Sequence, residues 1–172
     1  SLFVENVLNS VTNQVTYDSE TGGRTTMPVN LNGNWRASGA LSLSGPFKNR
    51  NWLFRTYSYL QYRNQNGYTT QNKEEPMKSS VKHLTARERL QFTFRTRQLE
   101  QSARGEVLYN NSYNNVKDMR TETFDYQLGG DLQYYLPWGF ECSSDLTYFL
   151  RTGYGYDSSG RKNLIWNCQL SK

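Results

Sequence analysis

No run of about 18 apolar residues occurs anywhere along the chain, so no helix of membrane-crossing length can be drawn through it. A positively charged start followed by an apolar stretch, the pattern of a secretory signal peptide, is also missing. Histidine occurs once, as His83. It falls at an expected loop-to-strand boundary and reads as a solvated side chain, because a Ser-His-Asp arrangement would have one possible base and no local signature. The two cysteines, Cys142 and Cys168, do not make a disulfide framework and read as free thiols on apolar positions. Together with His83 they have no metal-ligand spacing. Gly153-Tyr154-Gly155-Tyr156 is not a phosphate loop, since no helix follows to present its amides. These absences leave no catalytic residue, no cofactor and no metal ligand to nominate, and the chain reads as a non-enzyme.

Apolar residues are scarce as well. They make up 35% of the chain, and the mean hydropathy of −0.84 is that of a soluble or disordered polypeptide. Disorder is excluded by what is abundant instead: aromatic residues reach 15%, with 13 tyrosines, and disordered segments are depleted in rings. The net charge of +5 comes from basic residues spread along the chain and interleaved with acids, which argues for solvated charge and against a nucleic-acid partner.

What the chain does have is alternation. From Arg120 to Tyr154 it reads as one long hairpin folded at Pro137-Trp138-Gly139. Phe124, Tyr126, Leu128, Leu132, Tyr134 and Leu136 share one parity, with Thr123, Asp125, Gln127, Asp131 and Gln133 on the other. After the turn, Phe140, Cys142, Leu146, Tyr148 and Leu150 alternate with Glu141, Asp145, Thr147 and Arg151. A period of two places these sets on opposite faces of a sheet.

The same reading predicts strands over about Leu2–Tyr17, Asn30–Ser44, Asn51–Asn64, His83–Thr96, Leu99–Tyr109 and Leu164–Leu170, giving about eight in an up-and-down antiparallel meander. Short turns fall at residues 45–50, 97–98 and 137–139. Longer loops are expected at 18–28, 65–82, 110–119 and 154–161. Proline is expected only in turns and loops. In the first run Phe3, Val7, Val11, Val15 and Tyr17 are expected to form the apolar face.

Two features favour a membrane over water as the partner of the apolar face. The runs of about 11 to 16 residues exceed the usual mode of about 5 to 6 in soluble proteins, whereas a tilted strand needs about 9 to 11 to cross a bilayer. Rings also gather near strand ends: Phe47, Trp52, Trp138 and Phe140 beside the short turns, and Tyr17, Tyr62, Tyr109 and Tyr154 beside the long loops. Two aromatic belts mark the interfaces of a lipid-facing barrel. The 137–139 turn is then periplasmic, and the apolar parity faces lipid. The polar parity supplies the lumen-facing candidates Arg55, Tyr57 and Tyr59, then Arg87, Arg89 and Arg95, then Arg104, Glu106 and Asp125, and finally Asp131, Asp145 and Arg151. They would form either a salt-bridged interior or the lining of a lumen, where the arginines of the fourth run with neighbouring Tyr57 and Tyr59 could take an anionic or sugar-like ligand, a structural network being the favoured reading.

Several segments resemble the TonB-dependent-receptor-like outer-membrane β-barrel proteins of Bacteroidota. They are Val7-Leu8-Asn9-Ser10-Val11-Thr12, Thr16-Tyr17-Asp18, Pro28-Val29-Asn30-Leu31-Asn32-Gly33-Asn34-Trp35, Pro46-Phe47-Lys48-Asn49-Arg50, Gly153-Tyr154-Gly155-Tyr156 and Leu164 through Lys172. The resemblance implies residence in a bacterial outer membrane, as the later strands of a barrel of about twenty-two with a role in uptake. It also implies further strands and a plug domain as partners besides lipid. No plug, energy-coupling box or terminal aromatic is present in residues 1–172, so the chain is expected to be a single barrel unit or a fragment of one.

The expectation is thus an all-β transmembrane barrel of about eight strands, either closed on itself or an arc of a larger wall. A small closed barrel with a structural or loop-mediated binding role, and a soluble up-and-down barrel, remain the alternatives.

Overall fold

The computed structural model describes residues 1–18, 20–47, 50–69, 76–155 and 161–172. It is all-β, with ten strands: β1 (Leu2–Val7), β2 (Ser10–Tyr17), β3 (Arg24–Leu31), β4 (Asn34–Pro46), β5 (Trp52–Thr69), β6 (Met77–Arg95), β7 (Leu99–Asn114), β8 (Met119–Tyr135), β9 (Glu141–Thr152) and β10 (Lys162–Ser171). Eight form one sheet in the order β1-β4-β5-β6-β7-β8-β9-β10, and β2 and β3 form a separate ladder. The sheet is open: β1 and β10 are its edges, so the eight strands do not close into a barrel. No described helix is long and apolar enough to cross a membrane.

The separate ladder is the outer half of the first hairpin. Val7 faces Asn34 on the inner side and Ser10 faces Leu31 on the outer side, so the register is unchanged and Leu8-Asn9 stand against Asn32-Gly33. The expected single run over residues 2–17 is broken there because Asn9 and Gly33 take positive φ of 52° and 91°, which a strand cannot continue through. Asn32 Oδ1 accepts from the Asn9 amide at 2.7 Å. From β5, Asn64 Nδ2 donates to the Gly33 carbonyl at 2.8 Å and Asn66 Nδ2 to the Asn32 carbonyl at 3.0 Å. Amide side chains thereby satisfy backbone groups that the ladder leaves unpaired at the bend.

Three expected loops shrink. Residues 24–31, 65–69, 77–82 and 110–114 are strand. Alternation stops there because both faces are polar, as in Asn64-Gln65-Asn66, so periodicity cannot report the strand. Two of the loops reduce to tight turns. At one, Asp18 accepts from the Thr21 hydroxyl at 2.6 Å and from the amides of Glu20 and Thr21, and these bonds hold its carboxyl below the usual range. At another, Asn114 Oδ1 accepts from the amides of Val116 and Lys117. The expected loop residues 70–75 lie outside the described residues, as do Lys48, Asn49 and Tyr156. Pro28 is inside β3, opposite Asn13, contrary to the expectation of proline in turns alone. A two-stranded ladder leaves alternate amides of β3 pointing outward, where proline forfeits no bond. His83 is inside β6 and half-buried, not at a strand boundary. In β1, Phe3 and Val7 pair with Ser38 and Asn34, which puts them on the polar side of the sheet.

Residue contacts divide the chain into two compact units. The first comprises Ser1–Gly39, Leu60–Thr85 and Asn110–Thr121; the second comprises Ala40–Tyr59, Ala86–Tyr109 and Glu122–Lys172. Burial is inverted relative to a soluble sheet. The most shielded polar residues are Ser79, Thr93, Ser102, Thr123 and Thr147, whereas Leu31 is the one buried hydrophobic among the described residues. On β8, Thr123 is 8% exposed and Leu128 59%; on β9, Thr147 is 6% exposed and its neighbour Leu146 46%. The apolar parity has little protein cover, and the short hydroxyls of the polar parity are shielded beneath its longer side chains.

In the second unit, Gly153 has a φ of +86°, and a Cβ there would fall 1.9 Å from the Glu122 carbonyl oxygen. Gly153→Ala is expected to destabilise the chain by about 3 kcal/mol. Gly155→Ala, at φ +66° with open space around it, should cost about 1 kcal/mol. Urea unfolding of the two variants in detergent checks the ranking.

Candidate functional site

The polar parity of β6 to β9 carries a chain of charged contacts within the second unit. Glu106 on β7 receives two guanidinium groups from β6, Arg89 at 2.6 Å and Arg87 at 3.2 Å. Arg104, two residues earlier on β7, donates to Asp131 on β8 at 2.8 and 3.0 Å, and its other terminal nitrogen reaches Thr147 on β9 at 3.2 Å. That span crosses Gly129, where a Cβ would lie 2.8 Å from Arg104 Nε. Glycine there leaves room for the Arg104 side chain in this position. Ser102 adds a hydroxyl to Asp131 at 2.7 Å.

Register explains the rest of the network. Asp131 stands directly opposite Asp145, a like-charge pair that destabilises a ladder unless it is compensated. Arg104 neutralises the first carboxylate, and the Asn167 amide from β10 donates to the second at 3.0 and 3.2 Å. Asp125 is paired with Arg151 across β8 and β9, with 3.8 Å between Oδ1 and Nε. Arg95 meets Glu100 at 2.8 Å beside the 96–98 turn. All these pairs are partly exposed, so each contributes about 0–1 kcal/mol, and their main effect is to fix register and fill space.

Of the lumen-facing candidates, the fold brings Arg87, Arg89 and Glu106 into one cluster and Arg104 with Asp131 into another. Asp125 joins Arg151, Asp145 joins Asn167, and Arg95 joins Glu100. The side chains of Arg55, Tyr57 and Tyr59 share this face on β5 but join no ion pair or hydrogen bond among the described residues. Arg55 instead lines a depression of about 280 Å³ with Gln91, Thr93, Arg95 and Glu100. A second depression of about 320 Å³ lies between Arg89, Arg104, Glu106 and Gln127.

The expected belt rings lie largely on the apolar parity. Phe47 stacks with Phe92 at 6.4 Å and meets Phe54 at 6.0 Å, and Trp52 meets Phe94 at 4.9 Å. Tyr62 packs on Trp35 at 5.0 Å, and Tyr109 on Phe124 at 4.7 Å. Trp138 is 86% exposed at its turn, Phe140 lies under the Lys172 ammonium at 5.2 Å, and Tyr17 faces Arg24 at the hairpin tip. Tyr154 departs from the pattern, since its hydroxyl donates to Asp125 on the polar parity at 2.9 Å. Burial pushes the Tyr154 phenol above its ordinary range, and the Asp125 carboxylate reinforces the shift.

Sequence reasoning passed over two sets of residues. Ser102, Thr123 and Thr147 are the shielded floor beneath the charges, and short hydroxyl residues give no signal in a hydropathy pattern. Glu88 is a carboxylate on the apolar parity of β6, exposed between Ala86 and Leu90, and it accepts from the Thr56 hydroxyl at 2.7 Å. Its breach of the alternation was readable. No group of three or more His, Cys, Asp or Glu residues suited to a metal occurs among the described residues. Both cysteines are free, Cys142 half-buried and Cys168 exposed.

Glu106→Gln is expected to cost about 1 kcal/mol, because two guanidinium groups lose the one carboxylate they share; the urea midpoint reads this directly. A phenol whose folded pKa is raised stabilises the chain below its unfolded value of about 10 and loses that contribution as pH rises further. The urea midpoint should therefore fall above that pH in the parent chain and fall less in Tyr154→Phe. No family model, no curated protein and no solved structure matches the chain.

Proposed function

We propose that the chain is an arc of a bacterial outer-membrane β-barrel, part of the wall of a TonB-dependent-type uptake receptor, with its apolar parity in lipid and its charged parity towards the lumen. The observation that carries this reading is the inverted burial: large apolar side chains such as Leu60, Leu90, Leu128, Leu132 and Leu146 stand exposed, while the most shielded side chains of the sheet are short hydroxyls on the other parity. In water so extensive an apolar surface would be covered by a second layer, and hydrocarbon is the solvent that leaves it favourable uncovered. Strand length supports the same conclusion. β5 to β8 have 16 to 19 residues, and roughly 60 Å of strand at a tilt of about 45° exceeds a hydrocarbon core of about 30 Å. Their doubly polar outer ends suit the water beyond it.

The open sheet favours an arc over a small closed barrel. Every residue of β1 and β10 is exposed, and each edge has a row of backbone groups that only another strand satisfies in a membrane. The uptake role rests on the resemblance of the turn and strand segments to the receptor family. A soluble sandwich would need a covering sheet against Leu128, Leu132, Leu146 and Trp166.

Leu132→Arg and Leu146→Arg are each expected to cost about 2–4 kcal/mol of folding into lipid vesicles if they sit near the bilayer centre, while Gln127→Arg on the opposite parity should cost under about 1 kcal/mol. Equal effects on the two faces, or a chain that is monomeric and folded without detergent, would sink the membrane reading.

A further inference from the structure

A cleft lies beside the bend in the first hairpin. Within the first unit, Glu5, Ser10, Asn34, Arg36, Arg63, Asn64 and Gln65 line an open depression of about 210 Å³. That is below the roughly 300–1,000 Å³ of a drug-sized site, so it takes a small molecule or one end of a larger one. The lining holds two guanidinium groups and one carboxylate. Arg36 Nη2 holds Glu5 Oε2 at 2.8 Å, while its Nε is shielded from water without a partner. Arg63 differs from the network arginines of the second unit: it meets the Gln65 side-chain oxygen and no carboxylate among the described residues.

The unused hydrogen-bonding capacity defines the ligand. Arg63 retains most of the five donors of a guanidinium fork, whose planar geometry matches a carboxylate. Gln65 retains its amide N–H groups because its oxygen is engaged by Arg63. Glu5 retains Oε1, an acceptor that a ligand hydroxyl can meet, and Ser10 offers a hydroxyl of either sense. Asn34 and Asn64 are mostly occupied, bonding the Asn66 amide and the Gly33 carbonyl respectively, and so hold the wall in place. We propose that this cleft binds a small hydroxylated carboxylate of the sugar-acid class, its carboxylate on Arg63 and Gln65 and a hydroxyl on Glu5. The inference rests on the local hairpin geometry and deepens the uptake reading by naming a ligand class.

The test is calorimetric titration of the detergent-folded chain with glucuronate, glucose and inorganic phosphate. Glucuronate is expected to bind with a dissociation constant on the order of 1 mM, at least tenfold tighter than glucose or phosphate. Arg63→Gln should abolish that preference over glucose, Arg63→Lys should weaken binding several-fold, and Glu5→Gln should reduce discrimination against phosphate. Circular dichroism of each variant verifies folding. Equal binding of glucuronate and glucose, or unchanged glucuronate binding in folded Arg63→Gln, overturns the proposal. Vesicle insertion of the same variants reads the membrane assignment separately, so failure of one reading is distinguishable from failure of the other.

Discussion

The structure depends on one constraint: a sheet whose apolar side chains have no protein to bury against. In a soluble sheet the hydrophobic face fixes register, because a one-residue slip would expose it. Here that face is already exposed, and specificity falls to the other parity. Arg104 spanning β7, β8 and β9 through the gap at Gly129, and Glu106 gathering two arginines from β6, tie neighbouring strands at defined positions. Individually weak contacts suffice for this role, since register requires that alternatives be worse rather than that each bond be strong.

Aromatic packing divides the work differently. Phe47, Phe54 and Phe92, with Trp52 and Phe94, form a cluster near the short turns, while Tyr109, Phe124 and Tyr126 form another nearer the opposite strand ends. Between them the apolar parity of β5 to β7 narrows to Thr56, Ser58, Ala86, Glu88, Ala103 and Gly105. Ring contacts thus anchor the ends of the strands, and the thinly covered middle is held by backbone ladders.

Much of the architecture was legible in the sequence because alternation of period two records faces directly. The parity of Leu128 and Leu132 against Asp125 and Asp131 predicted the sides on which they stand. The meander also survives if the bent first hairpin is counted as two long strands. What escaped had physical reasons. Strand ends polar on both faces, such as Asn64 to Thr69, carry no period, so they read as loops. The bend at Asn9 and Gly33 depends on backbone dihedrals that apolar spacing does not encode. The partners of Arg104 depend on how far a long side chain can cross a glycine, and the Glu5–Arg36–Arg63 cleft gathers side chains from β1, β4 and β5, a juxtaposition that apolar spacing does not encode.

The bend has a consequence for how this segment can vary in length. Its two halves share one register, with Leu8-Asn9 directly opposing Asn32-Gly33. Adding a residue to one side alone would shift β2 against β3 by a position and exchange the two faces of the outer ladder. Matched additions on both sides, or changes confined to the tip between Tyr17 and Arg24, leave every pairing intact. The outer ladder can therefore be lengthened or shortened as a module, by steps taken symmetrically about the hairpin axis, while the inner pairing of β1 with β4 stays fixed.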